Sequence, residues 1–345
     1  MYEAFYGLRE RPFDLLPDPK YLVLTRAHRE ALSNLQYGVA SRKGITLLIG
    51  EAGTGKTTIV RAAVVSQPEQ VHCIQVQNPA LTRGEFVEML ARRFDLSDAA
   101  RESKSTFLAE LETLLEQRRA AGEWSVLVLD EAQSLPLELL EEVRLLANME
   151  SQGEALLSVI LAGQPELAAR LNDQSLRQLK QRVALRCELR SLTLQETSAY
   201  LVGRIHAAGG VGSQIFTREA VMLMHERAHG IPRTLSVIAD NALLTGFAVQ
   251  QPRVNSAIVK EVCRDLDLEG GGHRTAAVVA TPSREAGEPA VPAAAPHRLL
   301  SFHPAAPVQS VASERLVHEP QAEVSAAPPK RWWSLFGKLG THESS

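Results

Sequence analysis

Short runs of consecutive apolar residues alternate with stretches whose apolar positions recur every three or four residues. Five runs, at 45–49, 71–77, 125–130, 156–162 and 183–190, have the length of strands. Of these runs, that at 125–130 is continuous, as strands buried on both faces of a sheet are. With helical patterns between them they predict an α/β fold: a parallel five-stranded sheet covered on both sides. After Leu192 the pattern is helical only, at 193–208, 217–228, 232–249 and 254–265. Thr193 with Glu196 has capping-box spacing, Gly209-Gly210 stops the first of these helices and Thr217 caps the second. Gly230 ends the second, and Pro232 starts the third. The reading is a compact four-helix appendage.

Past Asp267 the composition turns to Gly, Ala, Pro, Ser and His, with half of the chain's 18 prolines between 282 and 329. Such a segment cannot bury enough apolar surface to offset its conformational entropy, so disorder is expected. The predicted division is therefore 1–43, an N-terminal segment with a first helix; 44–191, the α/β core; 192–267, the four helices; and 268–345, an Ala/Pro-rich tail. The tail ends in a basic and aromatic cluster, Lys330–Leu339, with Trp332, Trp333 and Phe336. Aromatic side chains insert at membrane interfaces and Lys and Arg favour anionic lipid, so the cluster suits peripheral contact with a membrane or docking on a partner.

One string carries more chemistry than any other. Gly50-Glu51-Ala52-Gly53-Thr54-Gly55-Lys56-Thr57 is an unbroken GxxxxGK[ST] phosphate-binding loop, preceded by an apolar run and followed by a helical stretch. Gly50, Gly53 and Gly55 let the backbone approach an anion so that successive N–H groups converge on phosphate at a helix N-terminus. Lys56 reaches the β- and γ-oxygens of a nucleotide and the Thr57 hydroxyl ligates Mg²⁺. With Thr58, residues 50–58 form the expected ATP-binding set.

A second string fits the first. Ser125–Leu129 is a continuous apolar run ending in Asp130-Glu131. In open α/β sheets ligands bind outside the carboxyl ends of the strands, which puts Asp130 beside the loop as a second holder of Mg²⁺. Glu131 then polarises and orients the water that attacks the γ-phosphate.

Composition bounds this reading without redirecting it. The 345 residues, 45% hydrophobic and 22% charged, suffice for a sizeable core. A net charge of −3 gives no global basic field, so nucleic-acid binding is unsupported by charge. Cys73, Cys187 and Cys263 are widely spaced and follow no metal-binding or disulfide pattern, which suits a reducing compartment. The N-terminus has no signal-peptide pattern and no 18-residue apolar run occurs, so the expected location is cytoplasmic, with peripheral contact at the inner membrane through the tail.

The two nucleotide motifs and the helical appendage resemble an AAA+ ATPase of the P-loop NTPase class. Further strings sharpen this: Tyr6–Phe13 with Pro17–Tyr21, Asp130–Gln133, Leu145–Asn148, Ala162–Leu167, Gln181–Cys187 and Gly230–Arg233. In this order, over about residues 1–265, they resemble the general-secretion-pathway protein A family and its relatives in pilus, exopolysaccharide or exosortase, and transposition systems. The resemblance implies that the four helices are a lid. It implies that Gln164 is the first sensor, which helps hold the attacking water, and that Arg233 is the second sensor, which links γ-phosphate to lid position. It also implies that Arg182 is an arginine finger acting in a neighbouring subunit's site, with Arg177 and Arg186 as rivals, and hence a homo-oligomer. Full-length secretion members continue into a transmembrane helix and a peptidoglycan-binding domain that this sequence does not show, so a soluble switch with a flexible tether is expected. The implied function is a cytoplasmic Mg²⁺-dependent ATPase that works with an envelope-assembly partner. The alternative is a DNA-associated ATP switch of the transposition-regulator type.

Overall fold

A computed structural model describes residues 1–14, 23–76 and 81–268. The Pro17–Tyr21 string, residue 77 and the tail from 269, with its Lys330–Leu339 cluster, lie outside the described residues.

Seven strands occur among the described residues: β1 (Ile45–Gly50), β2 (Val71–Val76), β3 (Trp124–Leu129), β4 (Glu150–Ser151), β5 (Glu154–Ala155), β6 (Leu157–Gly163) and β7 (Val183–Leu189). Five of them form one parallel sheet in the order β2-β3-β6-β1-β7. β1, β3 and β6 are buried at every position, as their mostly apolar sequences require, whereas β7 sits at an edge and alternates. The antiparallel hairpin β4–β5 is absent from the sequence pattern. Two residues per strand are too few to show a period.

Because successive side chains leave a strand on opposite faces, the sheet divides its apolar residues between two cores. Ile45, Leu47 and Ile49 of β1 join Leu127 and Leu161 against the helices Arg83–Arg93, Lys104–Ala120 and Leu137–Ala147, where Phe86, Phe107 and Leu139 are buried. On the other face Leu48, Val128 and Ile160 meet Leu35 of the helix Arg26–Ala40 and Ile59 of the helix Lys56–Val65. Each such side chain contributes about 1.5–3 kcal/mol by leaving water.

A third core lies among the helices Leu194–Ala207, Arg218–Ala228, Pro232–Ala248 and Ser256–Asp265 and a single turn at Gly212–Ile215. The reciprocal hydrogen bonds of a capping box form at Thr193 and Glu196, and Thr217 caps the Arg218–Ala228 helix. The N-terminal segment, expected from the sequence to group with the first helix, contributes Tyr2, Tyr6, Leu8 and Phe13 to this core. Arg204 secures it, donating to the carbonyls of Pro12 (2.6 Å) and Asp14 (3.0 Å) and to the Tyr200 hydroxyl (2.8 Å). Among the described residues no helix is long and apolar enough to cross a membrane.

Gly230 holds the junction between the α/β core and these helices. Its φ of +68° is left-handed, its carbonyl accepts from the Leu192 N–H at 2.8 Å, and a Cβ there would collide with the Leu192 carbonyl oxygen. Gly230→Ala is therefore expected to lower unfolding stability by about 2 kcal/mol or more, read from denaturant midpoints at unchanged slope.

Candidate functional site

The site is assembled at the carboxyl ends of three adjacent strands. Gly50 closes β1 and leads into a turn in which Gly53 (φ +80°) and Gly55 (φ +99°) take conformations that L side chains avoid. The turn is also crowded from outside. A Cβ on Gly50 would lie 2.7 Å from Thr54 Oγ1 and 2.9 Å from the Leu189 carbonyl, and one on Gly53 would lie 2.8 Å from the Arg233 Cβ. The helix Lys56–Val65 starts directly after Gly55, with the N-terminal N–H groups that suit an anion.

Lys56 is buried, and its ammonium donates to the carbonyls of Gly50 (2.8 Å) and Glu51 (3.1 Å). Burial pushes its pKa down, while Glu131, Asp130, Glu51 and Glu166 push it up. The Thr57 hydroxyl donates to Asp130 Oδ2 at 2.7 Å, so the two expected holders of a metal are in contact although 73 positions apart. Asp130 is buried, and its Oδ1 accepts from the backbone N–H of Glu131 at 3.0 Å. One hydroxyl and one carboxylate are hard oxygen donors of the kind Mg²⁺ takes in nucleotide sites. Among the described residues no cluster of three His, Cys, Asp or Glu side chains forms an all-protein metal cage.

Glu131 has a left-handed backbone, φ +54°. Its Oε2 accepts from Gln133 Nε2 at 2.6 Å and from Gln164 Nε2 at 3.3 Å. Gln133 is itself oriented: its Oε1 accepts the Gln164 N–H at 3.0 Å and its carbonyl accepts Arg170 Nη1 at 2.7 Å. Gln164 is expected here from the sequence. Gln133 is not, although it stands two positions from Glu131 in the Asp-Glu-Ala-Gln string.

Arg233 comes to the loop through its backbone. Its N–H donates to the Gly53 carbonyl at 3.2 Å, while its side chain is exposed at the start of the helix Pro232–Ala248. Arg182 lies elsewhere, just before β7, where Val183 pairs with Ile45 at the opposite end of β1 from Gly50. That is a strand length away, roughly 17 Å. Its guanidinium forms an exposed ion pair with Glu150 of β4. Arg177 and Arg186 are also exposed.

One contact had no signal in the sequence. His28, in the helix Arg26–Ala40, is buried with Nε2 3.0 Å from the Thr54 carbonyl and Nδ1 2.7 Å from Thr25 Oγ1. A carbonyl only accepts, so Nε2 carries the proton and Nδ1 takes the Thr25 hydroxyl hydrogen. Burial pushes the imidazole pKa down and so favours this neutral tautomer.

A model of the AAA domain family matches residues 39–171. Together with the sheet order and the loop, this makes the chain an AAA+ protein of the P-loop fold. Over 248 residues it is 40% identical to general secretion pathway protein A of Aeromonas hydrophila, so its AAA+ core is of that protein's kind. The match covers 72% of this chain and 45% of that protein, so the chain spans less than half the length of this relative. Among solved structures, the Aeropyrum pernix ORC2 protein in its ADPNP-ADP complexes aligns at a TM-score of 0.57 and 17% identity, over 78% of this chain and 74% of that one. The Drosophila ORC bound to DNA gives a TM-score of 0.57 at 18% identity, over 77% and 66%. Both likenesses are of fold alone.

The crowding at Gly53 yields a direct test. Gly53→Ala places a Cβ at φ +80° within 2.8 Å of Arg233 Cβ and 3.0 Å of Ile231 Cγ2. It is expected to weaken binding of a fluorescent ATP analogue by about tenfold or more and to cost about 1–2 kcal/mol of stability.

Proposed function

We propose that this chain binds and hydrolyses ATP with Mg²⁺ and uses the cycle, as a homo-oligomer, to assemble or regulate an envelope secretion, pilus or exopolysaccharide system. The observation that carries the chemistry is the convergence of the phosphate loop, the Thr57–Asp130 contact and an amide-held Glu131 at the carboxyl ends of β1, β3 and β6. The envelope context rests on the 40% identity to general secretion pathway protein A.

Each residue then has a defined task. The backbone N–H groups of residues 53–57 and the Lys56 ammonium receive the phosphates, with residues 50–58 as the binding set. Thr57 and Asp130 are the side chains that would hold Mg²⁺, which when bound neutralises charge on the β- and γ-phosphates. Glu131 orients and polarises the attacking water. Gln133 and Gln164 fix one of its carboxylate oxygens, so positioning precedes the reaction instead of being acquired during it. Arg233 couples the γ-phosphate to the helical lid, because its backbone already holds the loop and its side chain starts from the same point. Arg182 acts across an interface, since a strand length separates it from its own phosphate loop.

The expected location is the cytoplasmic side of the inner membrane, with the tail cluster making the peripheral contact. The rival reading, a DNA-associated ATP switch, predicts hydrolysis stimulated by DNA with steep salt dependence. Absence of such stimulation at low salt favours the envelope role.

Lys56→Ala is expected to lose ATP affinity, whereas Glu131→Gln should bind ATP as the wild type does and fail to turn it over, as read by equilibrium binding and phosphate release. Wild-type turnover by Glu131→Gln would remove the water-positioning role. Arg182→Ala should keep ATP binding and lose turnover by about 10³-fold, the scale of an arginine finger. Mixing it with Glu131→Gln should restore activity at interfaces that pair an intact Glu131 with an intact Arg182. No rescue in demonstrably mixed oligomers would falsify the finger assignment.

A further inference from the structure

Within the glycine-rich turn Lys56 and Thr54 hold the carbonyls of Gly50 and Glu51, but further along the turn the bonds come from other elements. Two adjacent carbonyls are held from outside: Gly53 by the Arg233 N–H at 3.2 Å and Thr54 by His28 Nε2 at 3.0 Å. The second contact comes from a buried side chain whose ring is fixed at both nitrogens. Thr25, the N-cap of the same helix, sets the proton on Nε2 by occupying Nδ1. The imidazole also packs near Gly55, where an added Cβ would lie 3.3 Å from Nε2.

We propose that His28 is a positioning residue of the nucleotide site, acting through the Thr54–Gly55 peptide. In a trans peptide the C=O and the following N–H are coplanar and point in opposite directions. Holding the Thr54 carbonyl against His28 therefore aims the Gly55 N–H away from the first helix, at the start of the Lys56–Val65 helix where the phosphates are received. A left-handed Gly55 at φ +99° has many alternative conformations open to it. The hydrogen bond from His28 selects one of them before ligand arrives. Binding then loses less entropy to ordering the loop, which raises affinity without touching the reacting atoms. For its effect on affinity this inference rests on the ATP reading above; for its effect on the loop it does not.

The test uses two substitutions in the full chain. His28→Phe keeps an aromatic ring, though a larger one, and removes the donor; His28→Gln keeps an N–H donor. Hydrogen exchange of the peptide covering 50–58, without nucleotide and normalised to the buried strand Trp124–Leu129, is expected to quicken about tenfold in His28→Phe and to stay near wild type in His28→Gln. The ATP dissociation constant should rise about tenfold in His28→Phe, with turnover at saturating ATP changed by less than about twofold, and recover in His28→Gln. Wild-type loop exchange in His28→Phe overturns the proposal, as does a His28→Gln variant as perturbed as His28→Phe. If wild type and Lys56→Ala bind ATP equally weakly, the ATP reading fails while the exchange comparison still decides the role of His28.

Discussion

The phosphate loop has to be held by its carbonyl side. A turn with three glycines, two of them at positive φ, has many conformations open to it, so its shape depends on what its C=O groups are bonded to. The structure occupies those of Gly50, Glu51, Gly53 and Thr54. Lys56 Nζ takes the carbonyls of Gly50 and Glu51, the Thr54 hydroxyl also donates to the Glu51 carbonyl at 2.8 Å, Arg233 N–H takes Gly53 and His28 takes Thr54. These anchors come from the loop, the helix Pro232–Ala248 and the first helix. The loop is thus one of the points where the cores of the chain meet, the Gly230–Leu192 junction being another.

The strand order does the rest of the positioning. β6 lies between β3 and β1, with Leu127 and Ile45 both opposite Val159, so the residues after the three strands emerge at one edge. This brings Asp130, Glu131, Gln164 and the loop together without any long side chain having to reach. Glu131 is where local strain is accepted, because a non-glycine residue at φ +54° costs of order 1–3 kcal/mol. The strained residue is also the one whose carboxylate is clamped by two amides and whose N–H returns to Asp130. Hydrogen bonds at both its backbone and its side chain over-determine the conformation.

How much the sequence makes legible depends on how local each cause is. The phosphate loop and the carboxylates after β3 lie in short strings, where glycine spacing and an apolar run announce the geometry. The capping box and stop signals of the helical region are equally local, and the helices fall close to where those signals put them. His28 and Gln133 were not legible as site residues. The first depends on a contact 26 positions away that only helix packing creates, and the second on which of several polar side chains the turn after Glu131 aims inward. The β4–β5 hairpin and the ion pair of its Glu150 with Arg182 were invisible for a related reason, since two-residue strands carry no periodicity and the partner is brought in by the fold.

The N-terminal segment belongs to the helical core. Pro12 and Asp14 are tied by Arg204 to Tyr200, whose hydroxyl lies 2.7 Å from Ser236 Oγ, and Ser236 in turn donates to the Pro232 carbonyl at 3.0 Å. Pro232 precedes Arg233, whose N–H holds the loop. This chain of hydrogen bonds is largely buried, and buried polar networks transmit displacement poorly in fractions because an unpaired member costs the full desolvation of its group. The segment and the helices therefore share one core and one hydrogen-bonded network. The network ends at Pro232, one residue before the Arg233 N–H that donates to the Gly53 carbonyl, so the first residues of the chain are joined to the phosphate loop through a continuous run of hydrogen bonds and one peptide link.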